Sequence, residues 1–70
     1  MPYVNIKITR EGGITPEQKA ELIHGVTKVL TDVLAKPADW TYVVIDEVDL
    51  DNWGVGGLPT REWRNRKQAE

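Results

Sequence analysis

Apolar and polar residues alternate near the start of the chain. In the segment 3–9, polar residues separate the apolar Val4, Ile6 and Ile8. A period of two residues is typical of a β-strand with one buried face. The pattern therefore predicts a first strand over this segment.

After a loop over residues 10–14, the spacing of apolar residues changes to three and four positions. Thr15 is a good N-cap, Pro16 suits the first helical position, and Gln18 completes a capping box with Thr15. The apolar positions that follow form one broad stripe: Leu22, Ile23, Val26, Val29, Leu30, Val33 and Leu34. The pattern predicts a helix that begins at Pro16 and ends at Lys36-Pro37.

A second strand is predicted over residues 41–48, after a short connector at 38–40. Its residues 42–45 are apolar without alternation, as expected when both faces are covered. A helix between two strands makes a βαβ unit with parallel strands and a right-handed crossover. The Gly-rich segment 52–59 suits a short hairpin. The expected fold class is therefore α+β, a small βαβ subunit with parallel strands and a short C-terminal hairpin.

The length of 70 residues predicts a single domain, residues 1–70, with residues 58–70 as a C-terminal basic tail. One helix covers only one face of a two-stranded sheet, so the other face needs a partner. The chain has no cysteine and one histidine, which leaves no disulfide and no histidine-built zinc site as a stabiliser. We therefore expect a homo-oligomer in which two subunits pair into a four-stranded sheet dimer.

Charge and hydropathy exclude two classes of partner, nucleic acid and membranes. The net charge is −2, and the tail carries only four basic residues: Arg61, Arg64, Arg66 and Lys67. So few charges on an acidic chain give weak, non-specific affinity for nucleic acid, which we exclude as a partner. No apolar run is long enough for a membrane span or a signal peptide, so we expect no membrane partner and a cytoplasmic protein.

Pro2 carries the candidate chemistry. A small residue after Met1 is the usual condition for removal of the initiator methionine, which would leave Pro2 with a free secondary amine. Ordinary α-amino groups titrate at about 7.7–8.0, and desolvation or nearby cations lower that value. The freed amine would then suit general base catalysis near neutral pH.

Five short motifs follow one another along the chain. They are the Met-Pro start, Pro16-Glu17-Gln18-Lys19 at the helix opening, Pro37 after the helix, Asp46-Glu47 at the end of the second strand, and Trp53-Gly54-Val55-Gly56-Gly57. In this order and spacing they resemble the 4-oxalocrotonate tautomerase family. The resemblance covers residues 2–58.

The resemblance implies tautomerase-like subunits that form dimers with a four-stranded sheet, and a hexamer built as a trimer of such dimers. It also implies an isomerase that interconverts keto and enol groups without a cofactor, using Pro2 as general base and acid. The implied substrate is a small-molecule carboxylate. It would be of the 2-hydroxy-dienoate, 2-oxo acid or enolpyruvate type.

Substrate-binding residues depart from the family pattern. The arginine that the family carries before its helix falls here near Gly13 or Ile14, in a loop about two residues longer. Arg10, a few residues earlier, is the expected replacement, and Arg61 is a second candidate. With one assured cation, a substrate with a single carboxylate fits better than a dicarboxylate.

Two further positions complete the expected site. The family's arginine early in the second strand aligns on Tyr42, whose hydroxyl can donate one hydrogen bond but cannot hold a carboxylate bidentately. Trp53 corresponds to the aromatic wall that excludes water around Pro2, although packing in the core would also account for it.

Two alternatives remain open at this point. The same scaffold and proline support dehalogenation, hydration or decarboxylation in related family members. The chain could also be a non-catalytic oligomeric βαβ binding module, in which Pro2 is only a start residue and the Gly-rich segment only a turn.

Overall fold

The computed structural model describes the backbone of residues 1–69 and the side chains of residues 1–66. Its elements follow the predicted order of strand, helix, strand and hairpin, with a second helix at the end. They are β1 (Tyr3–Thr9), α1 (Pro16–Leu34), β2 (Tyr42–Val48), β3 (Gly54–Val55), β4 (Leu58–Pro59) and α2 (Thr60–Ala69), with 3₁₀ turns at Ala38–Trp40 and Leu50–Asn52. The predicted α+β class is confirmed.

Strands β1 and β2 are neighbours in one sheet. The amide of Tyr42 donates to the carbonyl of Pro2 at 2.9 Å, and the amide of Arg10 donates to the carbonyl of Val48 at 2.7 Å. The start of β1 is therefore bonded to the start of β2, and the end of β1 to the end of β2. This pairing confirms that the strands are parallel. The second strand begins one residue later than predicted, because the Thr41 amide instead donates to the Ala38 carbonyl and closes the 3₁₀ turn.

Helix α1 begins as predicted. The Thr15 hydroxyl accepts from the Gln18 amide at 3.1 Å, and the Gln18 side chain accepts from the Thr15 amide at 2.9 Å. The helix ends at Leu34 rather than at the predicted Lys36-Pro37. Ala35 adopts the left-handed conformation with φ 56°, and its amide bonds to the carbonyl of Thr31, which closes the helix before Pro37 is reached.

The chain divides into two compact units. The first comprises Met1–Lys7 and Ile14–Asp46, and the second comprises Ile8–Gly13 and the chain from Glu47 onward.

The first unit leaves much apolar surface uncovered. On the sheet, Val4 and Ile6 are half-buried, whereas Tyr3 on the alternate face is 62% exposed. On α1, Val26 and Leu30 are half-buried, whereas further residues of the apolar stripe remain exposed: Leu22, Ile23, Val29, Val33 and Leu34. No apolar side chain is fully buried in the part of the chain that the structure describes.

A polar cluster occupies the middle of the exposed sheet face. The Asp46 carboxylate accepts from the Asn5 amide at 2.9 Å and from the Lys7 ammonium at 3.0 Å. These two hydrogen bonds, that of Asn5 first, hold the pKa of the Asp46 carboxyl below its usual value. The cluster satisfies the charges that the sheet face carries between its apolar side chains.

The second unit contains the predicted hairpin and an element that the sequence analysis did not assign. Strands β3 and β4 pair antiparallel, and Gly56 and Gly57 between them take positive φ angles of 59° and 85°. Two such residues form the turn that a two-residue hairpin prefers. Beyond it, part of the segment interpreted as a basic tail folds as helix α2. Thr60 at its start is 4% exposed, and both its amide and its hydroxyl donate to the carbonyl of Trp53.

Candidate functional site

Pro2 lies immediately before β1 and is half-buried. Its carbonyl accepts the amide of Tyr42, so the structure brings these two predicted site residues together where the parallel strands begin. Met1 is 77% exposed. With Met1 attached, the nitrogen of Pro2 is a tertiary amide and cannot act as a base. The exposed Met1 is accessible for removal, which would leave an amine on a residue that backbone bonding already fixes.

Arg10 follows β1 directly and belongs to the second unit. Its amide donates to the carbonyl of Val48, whereas the contacts of its guanidinium with the described residues are long. One nitrogen lies 3.4 Å from Asp49 Oδ1 and another lies 3.3 Å from the carbonyl oxygen of Glu47. The side chains of Arg10 and Asp49 are both more than half exposed. A fixed backbone and a weakly paired guanidinium would suit a residue that binds the carboxylate of another molecule.

Arg61 and Trp53 belong to the same second unit but differ from Arg10 in their bonding. The Arg61 guanidinium donates to Asp51 Oδ1 at 2.6 Å, a short contact with a carboxylate of its own chain. Trp53 is half-buried, and its backbone is fixed on both sides by bonds with Leu50 and Thr60. Arg61 is thus the more firmly paired of the two candidate arginines.

The loop after β1 contains an ion pair that the sequence analysis missed. Glu11 Oε1 accepts from Arg64 of α2 at 2.7 Å, and Glu11 Oε2 accepts from the Thr9 hydroxyl. Arg64 first and Thr9 second lower the pKa of Glu11 to about 2. Fifty-three positions separate Glu11 from Arg64. No local spacing therefore signals the pair. The only indication in the sequence was a basic C-terminal segment in a chain whose net charge is negative.

Gly12 and Gly13 continue this loop with positive φ angles of 90° and 76°. Both angles lie in the region that side chains disfavour, so the loop depends on glycine for its backbone conformation rather than for space. A Cβ on Gly13 would meet only the Glu47 carboxylate, at an ordinary contact distance.

Within residues 1–66, no three His, Cys, Asp or Glu side chains gather closely enough to hold a metal ion. Neither described helix combines the length and apolar character that crossing a membrane requires.

Comparison with known proteins identifies the family. The model of the family described as "Tautomerase enzyme" matches residues 2–62. The chain belongs to the tautomerase family. A curated relative, the probable tautomerase K2 of Dickeya dadantii, is 53% identical over 66 residues, covering 94% of this chain and 97% of the relative. The predicted resemblance is confirmed, and so is the assignment as an isomerase of the tautomerase type.

Solved structures agree with the fold of this tautomerase. DmpI from Helicobacter pylori superposes with a TM-score of 0.80 at 43% identity, over 91% of this chain and 97% of that one. A heterohexameric 4-oxalocrotonate tautomerase from Chloroflexus aurantiacus gives a TM-score of 0.75 at 29% identity, over 89% and 97%. The βαβ fold with a C-terminal hairpin is thus the tautomerase fold.

Proposed function

We propose that this tautomerase interconverts the keto and enol forms of a small carboxylate without a cofactor, using the amine of Pro2 after removal of Met1. One observation carries the proposal. A member of the tautomerase family has proline at position 2, half-buried and bonded through its carbonyl to the first residue of β2. That bond uses the carbonyl of Pro2 and not its nitrogen, the atom proposed to act as the base.

The proposed reaction moves one proton out of the substrate and one back. The neutral Pro2 amine takes the proton from the enol hydroxyl, and the oxygen lone pair forms the carbonyl. The electrons of the carbon–carbon double bond then take a proton from the Pro2 ammonium, which regenerates the amine. Because the substrate oxygen and carboxylate carry negative charge during transfer, a cation or hydrogen-bond donor nearby lowers the barrier.

Arg10 is the proposed partner of the substrate carboxylate. Its own contacts, at 3.3 and 3.4 Å, are longer than the 2.6 Å contact that Arg61 makes with Asp51. A substrate carboxylate therefore displaces less from Arg10 than from Arg61. Tyr42 is proposed to donate one hydrogen bond to the substrate, and Trp53 is proposed as the aromatic wall of the site.

The substrate class follows from the number of available cations. With Arg10 as the main carboxylate partner, the proposed substrates carry one carboxylate and are of the 2-hydroxy-dienoate, 2-oxo acid or enolpyruvate type. The structural relative from Chloroflexus aurantiacus is named a 4-oxalocrotonate tautomerase, which supports keto–enol interconversion of a carboxylate substrate but not the number of carboxylates.

The proposed assembly is a homo-oligomer, and specifically a hexamer built from three dimers. The exposed apolar residues of the sheet face and of α1 support it, as does the heterohexamer named for one structural relative. The single domain over residues 1–70 and the cytoplasmic location stay predictions.

The decisive experiment compares two forms of one protein. Intact mass first distinguishes processed protein from protein made with methionine aminopeptidase inhibited, which retains Met1. Both forms are then assayed by ultraviolet absorbance on phenylenolpyruvate. We expect turnover only by the processed form, with the same oligomeric state in both.

A Pro2→Ala variant, which keeps a primary amine, should retain reduced activity, losing less than the roughly 10²–10⁴-fold that a positioned general base contributes. Equal turnover by the processed and Met1-retaining forms would refute the proline mechanism.

A further inference from the structure

The C-terminal helix is bonded to the loop that carries Arg10. Arg64 Nη1 of α2 lies 2.7 Å from Glu11 Oε1, and the other carboxylate oxygen of Glu11 accepts from the Thr9 hydroxyl. Glu11 is the residue directly after Arg10. Each oxygen of this carboxylate therefore has a donor, one from the end of β1 and one from α2.

The loop continues from Glu11 into Gly12 and Gly13, whose φ angles of 90° and 76° are positive. Among the described residues, the contacts of the Arg10 side chain are 3.3 and 3.4 Å long. The Arg64–Glu11 pair, at 2.7 Å, is shorter than these contacts and joins α2 to the residue next to Arg10. Arg64 also lies beyond residues 2–62, the part that the family model matches.

We propose that Arg64 and Glu11 are positioning residues that orient Arg10 toward the substrate carboxylate, which makes α2 part of substrate recognition. The inference rests on the proposed role of Arg10. A carboxylate with a pKa of about 2 stays ionised throughout the neutral range, so the pair persists wherever the enzyme works. Misplacing an anchoring cation weakens substrate binding before it alters proton transfer.

Steady-state kinetics on four single variants tests the proposal. Arg64→Ala and Glu11→Gln each remove the pair, whereas Arg64→Lys keeps a cation at the same place. Arg66→Ala is the matched control, because it removes an exposed arginine from the same helix. We expect Arg64→Ala and Glu11→Gln to raise KM about threefold to fivefold with kcat nearly unchanged, the size of effect that an exposed ion pair allows. Arg64→Lys should recover part of the loss, and Arg66→Ala should match the parent protein.

A double variant separates positioning from a general loss of stability. If Arg64 acts through Arg10, adding Arg64→Ala to Arg10→Ala causes no further rise in KM. Multiplying effects in the double variant would overturn the inference, as would Arg64→Ala with the KM of Arg66→Ala. A different result bears on the proposed function instead. If Arg10→Ala alone left KM and kcat unchanged, the assignment of Arg10 would fail, and the positioning role would fall with it.

Discussion

At the scale of single residues, the two candidate arginines are distinguished by what already holds them. The Arg61 guanidinium lies 2.6 Å from Asp51, whereas the Arg10 guanidinium lies 3.4 Å from Asp49. We expect Arg10→Ala to lower kcat/KM by about tenfold to a hundredfold, the range for losing a charge-assisted hydrogen bond. Arg61→Ala should change kcat/KM less than threefold, since it removes mainly an exposed pair. The reverse order of the two effects would move the anchoring role to Arg61.

At the residue scale, features that depend on neighbouring positions could be inferred from the sequence; the capping box is confirmed, and the role of Pro2 stays a prediction. The capping box of Thr15 and Gln18 is visible because its two members stand three positions apart. Pro2 is visible because its chemistry depends only on its position after Met1. The partners of Arg10 and Glu11 could not be predicted, because Asp49 and Arg64 are 39 and 53 positions away. Only the folded backbone brings those charges together.

At the scale of elements, periodic segments were predictable and the charged segment was not. β1 and α1 each show an apolar period over many residues, which explains why their starts were predicted correctly. Helix α2 has no comparable stripe, since Trp63 is its main apolar residue among charged neighbours. Its start depends on Thr60, whose two bonds to the Trp53 carbonyl form across the hairpin. Such a tertiary contact has no signature in the sequence.

The bond between α2 and the loop after β1 predicts an acid-dependent contribution to stability. Arg64 and Thr9 lower the pKa of Glu11 from 4.5 to about 2. A folded-state pKa below the unfolded one means that the contribution is fully present above pH 4.5 and is lost as the pH falls toward 2.

Thermal unfolding of the parent protein and of Glu11→Gln should reveal this contribution. We expect the difference in Tm to be constant at neutral pH and to shrink between pH 4.5 and pH 2. Arg66→Ala should show a difference from the parent that does not vary over this interval. A constant gap between Glu11→Gln and the parent down to pH 2 would contradict the ionised pair.

At the scale of the whole molecule, the described part of the chain leaves much of its apolar surface exposed. Tyr3, Tyr42 and Val44 expose between 41% and 62% of their surface, and Val33 of α1 exposes 74%. A chain of 70 residues without disulfides has little other means of stabilisation. Apolar surface of this extent stabilises a protein when a second copy removes it from water. The exposed faces therefore support the predicted homo-oligomer. The sequence led to the same expectation, because one helix covers only one face of a two-stranded sheet.

The oligomer is tested by placing a charge on each uncovered face. Sedimentation at micromolar concentration should show a hexamer for the parent protein, and Val44→Lys should dissociate or unfold it because the lysine would be buried without a partner. Val33→Lys should do the same if α1 also lies at an interface. Asp39→Lys, at an exposed position of the 3₁₀ turn, is the control and should leave the sedimentation coefficient unchanged. A stable, folded monomer of about 8 kDa in the parent protein would contradict the prediction. Such a monomer would show that the protein is stable with Val33 and Val44 exposed to solvent.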